Sequence, residues 1–258
     1  MSIRFENVTK TFGSRAVLKD ISFEVNTGEI LFILGKSGMG KSVTLKHIVG
    51  VMKPDTGRVR VDQEDVTSLK ARELFKIRRK CGMVFQHPAL LDSLTVFDNV
   101  SFGLKTPQYI QSLSQPLSPD EILDIVIEKL ALVHLGPEIL ERLPTELSYG
   151  MQKRVSLART LAPQPSYLLF DEPTTGLDPI TTRAINALIL DLSKKLKVTS
   201  IVVSHDMSCA LEIADRIHIQ RLGRRAAVVD PKKISMSDTV AVMTGAKQVN
   251  ELPADCLA

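Results

Sequence analysis

Residues 30–42 run Ile30-Leu31-Phe32-Ile33-Leu34-Gly35-Lys36-Ser37-Gly38-Met39-Gly40-Lys41-Ser42, five apolar residues followed by a stretch that satisfies GxxxxGK[ST]. The apolar run has the length and continuity of a strand buried on both faces. Residues 41–51 favour a helix that Pro54 and Gly57 bring to an end. Strand, loop and helix in that order make a phosphate loop. Gly35, Gly38 and Gly40, with Ser37 among them, let backbone amides converge on an anion that the helix start also favours. Lys41 is the residue type that reaches the β- and γ-phosphates of a nucleoside triphosphate, and the Ser42 hydroxyl is the type that ligates Mg²⁺. Thr44 joins the nucleotide-binding set. A glycine-rich turn with an incidental Lys-Ser pair is the competing reading, and the flanking strand and helix weigh against it.

Outward from this loop, residues 3–8 and 21–25 alternate in strand fashion, so an antiparallel start feeds the buried strand. Two further apolar runs, 167–170 and 199–203, are separated by a helical pattern over 180–196, which implies a parallel sheet. The first ends in Asp171-Glu172 and the second in Ser204-His205-Asp206. Carboxyl ends of parallel strands are where such sheets bind ligands. Asp171 is placed to hold Mg²⁺, and Glu172 to polarise an attacking water as general base. His205 is placed to donate to a γ-phosphate from the same edge, although a lone strand-end histidine is more often a satisfied surface or core residue.

Between residues 86 and 147 the strand signal disappears, and apolar residues fall at helical spacings over 96–104 and 122–133, a candidate helical lobe. Residues 106–119, holding Pro107, Pro116 and Pro119, predict a loop; Ser118, Pro119 and Glu121 predict a capped helix start. Beyond Gly223 the signal weakens to a short strand at 226–229, a helix at 237–243 and a polar tail.

The composition is that of a globular chain, 44% hydrophobic and 24% charged. Its net charge of +4 is too mild to indicate nucleic acid. The basic clusters Arg78-Arg79-Lys80, Arg224-Arg225 and Lys232-Lys233 fit a solvated face, with anionic lipid headgroups or a partner subunit as the alternative. Cys81, Cys209 and Cys256 are widely spaced without CxxC, which points to reduced thiols rather than disulfides or zinc. No apolar run is long enough to span a bilayer and residues 1–10 lack a signal-peptide core, so a cytoplasmic location is expected.

The order of these motifs resembles the ATP-binding-cassette family over residues 1–222. The fold the resemblance implies is α/β: a RecA-like parallel-sheet core, an N-terminal antiparallel β subdomain, a helical subdomain at about 87–163, and a C-terminal extension, 223–258, that is partly ordered at most. It also implies that Phe12 stacks on adenine, where packing in the core is the alternative, that Gln86 is the Q-loop glutamine facing Mg²⁺ and the attacking water, and that Asp178 belongs to the D-loop. The family's LSGGQ signature appears as Leu147-Ser148-Tyr149-Gly150-Met151, departing at two positions. Ser148 and Gly150 keep the groups that approach a γ-phosphate, whereas Tyr149 stands where glycine-only backbone angles are expected.

What the resemblance implies for activity is Mg²⁺-dependent ATP hydrolysis in a homodimer bound to integral-membrane permease subunits on the cytoplasmic face of the inner membrane. Leu90, Leu91, Val96, Phe97, Val100 and Phe102 are candidates to line a groove for a permease helix. Residues 94–100, 151–154 and 176–181 look most like ATPases of MCE-type, Mla-like phospholipid transporters, with a lipid-binding MCE partner. Polar amino-acid importers share much of this pattern. Soluble cassette proteins of translation or DNA repair would need tandem cassettes or a coiled-coil insertion, and a nonhydrolytic scaffold would not need Glu172, Lys41 and His205 together.

Overall fold

Residues 2–258 are described by the computed structural model. β1 (Ile3–Phe12) and β2 (Arg15–Val25) pair antiparallel, and β3 (Ile30–Leu34) leads through the glycine-rich loop into α1 (Lys41–Ile48). β4 (Thr56–Val61), β5 (Glu64–Asp65), α2 (Ala71–Lys80) and β6 (Cys81–Val84) follow. A helical stretch then holds α3 (Val96–Ser101), α4 (Pro107–Ile110), α5 (Pro119–Leu132) and α6 (Tyr149–Leu161). The chain returns to the sheet with β7 (Tyr167–Asp171), α7 (Pro179–Leu196), β8 (Thr199–Ser204), α8 (Met207–Ile213) and β9 (Arg216–Arg221), and closes with β10 (Arg224–Val229) and α9 (Met236–Thr244).

The antiparallel sheet has the order β2-β1-β4-β5, and the second sheet β10-β9-β3-β8-β7-β6. In the latter only β10 runs antiparallel to its neighbour. Ile30, Phe32 and Leu34 of β3 pack into one hydrophobic cluster with the helical elements, while Leu31 and Ile33 pack into another with the antiparallel sheet and α1. β7 divides in the same way, Leu168 and Phe170 to one side and Tyr167 and Leu169 to the other. The central strands are apolar without alternation because both faces are covered.

The capped start of α5 is as the sequence suggests: Glu121 N–H donates to Ser118 Oγ at 3.2 Å and Ser118 N–H to Glu121 Oε2 at 2.7 Å. Such a box contributes about 1 kcal/mol. Residues 106–119 differ from the expected loop, since α4 forms there, capped by Thr106 and anchored by buried Tyr109. Helix α2 escapes notice in the sequence because only Leu74 and Ile77 are buried among its charged residues. The basic clusters do more than face solvent: Arg78 Nε donates to Val49 O at 3.0 Å, and Lys80 pairs with Asp62 at 2.6 Å. Of the six groove candidates, Leu91 and Phe102 are exposed, Leu90 and Phe97 are partly buried, and Val96 and Val100 belong to the core.

An extension partly ordered at most is not what is found. β10 joins the main sheet, Val229 bridges to Leu257, Asp230 N–H donates to Cys256 O at 2.8 Å, and Leu252 and Cys256 are buried. The few apolar residues that dock this segment are too widely spaced to give a local signal. Tertiary contacts order it instead.

β9 carries a buried histidine. His218 is 1% exposed, its ring meets Phe23 edge-on, and burial followed by Arg225 and Arg216 pushes its pKa down to about 3. The unfolded chain therefore binds a proton near pH 6.5 that the folded chain refuses. Stability is complete above that pH and falls as pH drops toward 3, by up to about 1.4 kcal/mol per unit. His47, also lowered by burial, acts in the same direction. Urea unfolding at pH 7 and pH 5 should show this loss, and His218→Leu should flatten the slope; equal slopes would remove His218 as its source.

Candidate active site

A cleft of about 570 Å³ opens at the carboxyl ends of the parallel strands, lined among others by Ser37, Gly38, Gly40, Lys41, Ser42, Gln86, Glu172 and His205. Four loops meet there because β3, β6, β7 and β8 all point the same way. Gly40 caps α1 with φ of 92°, and a Cβ on it would lie 2.8 Å from Leu18 Cδ2 and 2.9 Å from Val17 O. Gly35 is equally confined, since a Cβ there would meet Gln220 O at 2.7 Å. The loop's shape is thus dictated by what packs behind it.

Lys41, 5% exposed, donates through Nζ to Gly35 O at 2.7 Å and Lys36 O at 3.2 Å, and lies 3.3 Å from Glu172 Oε1. The other oxygen of Glu172 is 2.8 Å from His205 Nδ1. Glu172 itself sits at φ 49°, a left-handed conformation costly for a non-glycine residue, held by its N–H bonding Val203 O at 2.9 Å. That twist turns the carboxylate from the strand end toward Lys41 and His205.

Ser42 Oγ donates to Asp171 Oδ1 at 2.7 Å. Burial raises Asp171 above the ordinary carboxylate range, the Ser42 hydrogen bond opposes this, and repulsion from Glu172 adds to it. A partly buried carboxylate in that position, beside a hydroxyl, suits a hard divalent cation such as Mg²⁺. Among the described residues no group of three or more His, Cys, Asp and Glu side chains is arranged to hold a metal ion by itself. This is the donor set Mg²⁺ uses, one or two carboxylates with water and phosphate oxygens rather than an all-protein cage.

Other predicted residues lie elsewhere. Thr44 is 1% exposed and its hydroxyl donates to Gly40 O at 3.3 Å, so it faces its own helix, and Val43 lines the cleft in its place. Phe12 is 45% exposed with Lys10 Nζ 5.7 Å from its ring centroid, which excludes the core alternative. It lies outside the lining of the cleft.

Ser148, Gly150 and Asp178 also lie outside it. Ser148 Oγ accepts from Met151 N–H at 3.3 Å at the start of α6. Asp178 caps α7, accepting from Ile180 N–H at 2.9 Å and Thr181 N–H at 3.0 Å. A Cβ on Gly150 would meet Thr181 Cγ2 at 3.0 Å, so the starts of α6 and α7 form one surface. Tyr149 is the first residue of α6 and is not among the positive-φ residues, so glycine-only angles are not required at that position. Three lining residues had no signal in the sequence: Val17, Thr175, and Met243, which α9 brings from the C-terminal segment.

A profile described as ABC transporter matches residues 18–175. The chain is 37% identical over 235 residues to the probable ribonucleotide transport ATP-binding protein mkl of Mycobacterium tuberculosis, covering 89% of this chain and 63% of that protein. It therefore spans less than two thirds of that relative's length. It is 40% identical to the methionine import ATP-binding protein MetN of Clostridioides difficile, covering 92% of this chain and 71% of that one. The dimeric post-hydrolysis state of the ATP-binding cassette MJ0796, bound to ADP and Pi, superposes with a TM-score of 0.80 at 33% identity, covering 90% of this chain and all of that one. On these matches, and with the phosphate loop, acid pair and strand-end histidine gathered in one cleft, the chain belongs to the ABC transporter family and has the fold of its ATP-binding cassette.

Proposed function

We propose that this chain binds and hydrolyses ATP to power a membrane transporter, with residues 1–222 as the ATPase unit and 223–258 as an extension docked on it. The observation that carries the proposal is that Lys41, Ser42, Gln86, Glu172 and His205 line one cleft, with Asp171 hydrogen-bonded to Ser42 behind the lining. Lys41 offsets charge on the β- and γ-phosphates, and Glu172 takes a proton from the water that attacks the γ-phosphorus. The bond from that phosphorus to the bridging oxygen breaks, and ADP leaves with the electron pair. His205 orients Glu172 and faces the γ-phosphate. Ser42 and Asp171, with Gln86, would hold Mg²⁺, which supplies charge neutralisation on the phosphate oxygens.

Ser148, Gly150 and Asp178 lie outside the lining of their own cleft, which supports their completing the cleft of a second copy. ATP then favours the closed pair, and hydrolysis removes that preference. Among the described residues no helix is long and apolar enough to cross a membrane. Permease subunits would supply the spanning part, with the dimer on the cytoplasmic face of the inner membrane. For cargo we favour phospholipids handled with an MCE-type partner, on the local likeness at residues 94–100, 151–154 and 176–181. Similarity to MetN and to sulfate/thiosulfate import ATP-binding proteins supports a second reading, import of small solutes.

Purification from membranes with its partners, followed by phosphate-release assays and mass spectrometry of bound lipid, tests both levels. Mg²⁺-dependent turnover with co-purifying phospholipid is expected. Absence of turnover with partners present would overturn the ATPase proposal, and turnover stimulated by a polar solute would replace the lipid cargo.

A further inference from the structure

Lys153, on the second turn of α6, is 4% exposed. Among the described residues no carboxylate lies within salt-bridge distance of its ammonium. Nζ instead donates to the Gln86 carbonyl and to Pro173 O, the latter at 3.1 Å, and lies 5.6 Å from the centroid of the Tyr149 ring. Burial lowers its pKa to about 8. An ammonium taken from water without a countercharge is costly, and carbonyl oxygens with an aromatic face repay only part of the cost. A methionine would fill the same volume without that penalty. The charge therefore answers a need other than packing.

The two carbonyls belong to the loops that follow the neighbouring strands β6 and β7. Gln86 follows β6 and its side chain lines the cleft; Pro173 adjoins Glu172. The same helix holds the Gln86 loop at a second point, Arg159 Nη1 donating to Ala89 O at 2.8 Å and Nη2 to Pro88 O at 3.3 Å. Among the described residues, Lys153 is the one whose side chain hydrogen-bonds both loops. One turn earlier in α6 stand Tyr149 and Gly150, after the Ser148 cap.

We infer that Lys153 is a positioning residue that ties the start of α6 to the Gln86 loop and the Glu172-Pro173 loop, so that movement of α6 is felt at the water-activating groups. The inference rests on the ATPase proposal. When α6 shifts, the ammonium carries both carbonyls with it, because breaking either bond leaves a buried charge less well solvated. Contacts at the Ser148 end of the helix thus reach the cleft of the same chain through one side chain.

Lys153→Met tests this in the full chain with its membrane partners. The variant should lower kcat on the order of tenfold, the scale expected when catalytic groups are slightly misplaced. The dissociation constant for MgATP should stay within about threefold, since charge-assisted contacts from the Lys41 loop are untouched. Hydrogen exchange should rise in residues 86–90 and 172–175 and stay unchanged in α1. Unchanged kcat would overturn the inference, as would equal losses of kcat and affinity with exchange rising throughout the chain. Glu172→Gln serves as the control. If the parent protein shows no turnover with its partners present, the ATPase proposal fails; if the parent is active and Glu172→Gln inactive while Lys153→Met is fully active, only the tie is wrong.

Discussion

Glu172→Gln is expected to cut ATP turnover by about 10²- to 10⁴-fold while leaving ATP affinity within about twofold, the range lost when a general base is removed. The amide has the size of the carboxylate and keeps a polar atom toward His205, 2.8 Å away in the parent protein. What it lacks is a site for the water's proton. Gln also loses the 3.3 Å ion pair with Lys41, which frees the ammonium for phosphate and argues against weaker binding. Phosphate release and equilibrium binding of a fluorescent ATP analogue read the two effects separately. Turnover at the parent rate would remove Glu172 from the chemistry, and a parallel collapse of binding would mean that its role is structural.

Lys41→Ala should show the complementary pattern, with the Kd for MgATP raised on the order of a hundredfold. Hydrogen bonds to a charged group contribute about 1.5–3 kcal/mol, and every 1.4 kcal/mol is tenfold in affinity. Lys41 is aimed for this by Gly40, whose backbone starts α1 with no room for a side chain. Alanine also leaves Gly35 O and Lys36 O without their buried donor, so some loss of melting temperature in nucleotide-free protein is expected as well. Isothermal titration at fixed Mg²⁺ measures the main effect. Affinity within a few fold of the parent would show that the backbone amides alone hold the phosphates.

Much of the central sheet was legible in the sequence, for a physical reason. β3, β7 and β8 are covered on both faces, so their residues are almost uniformly apolar and stand out from their flanks. β9 did not stand out, because two of its inward positions are polar. His218 and Gln220 are both buried, and Gln220 Nε2 holds Met39 O at 2.8 Å, a partnership with the phosphate loop that no local pattern announces.

The candidate site divides in the same way. Lys41, Ser42, Asp171, Glu172 and His205 were legible because each ends a strand or opens a helix, where the topology leaves side chains little choice of direction. Thr44 was misplaced because spacing along α1 cannot tell which face looks into the cleft. Met243 was invisible since α9 reaches the cleft only through long-range packing. Tyr149 shows a limit of motif comparison: a glycine in a family pattern need not mark a left-handed residue, and here a helical one serves.

Residues 256–258 lie along β10, which among the described residues has no other strand on its outer side. An open border of this kind invites unrelated chains to add themselves to the sheet, and the short stretch from Cys256 to Ala258 occupies part of it. Trimming the polypeptide at residue 250 should therefore give a molecule that clumps as its concentration rises, even if every group around the nucleotide is intact.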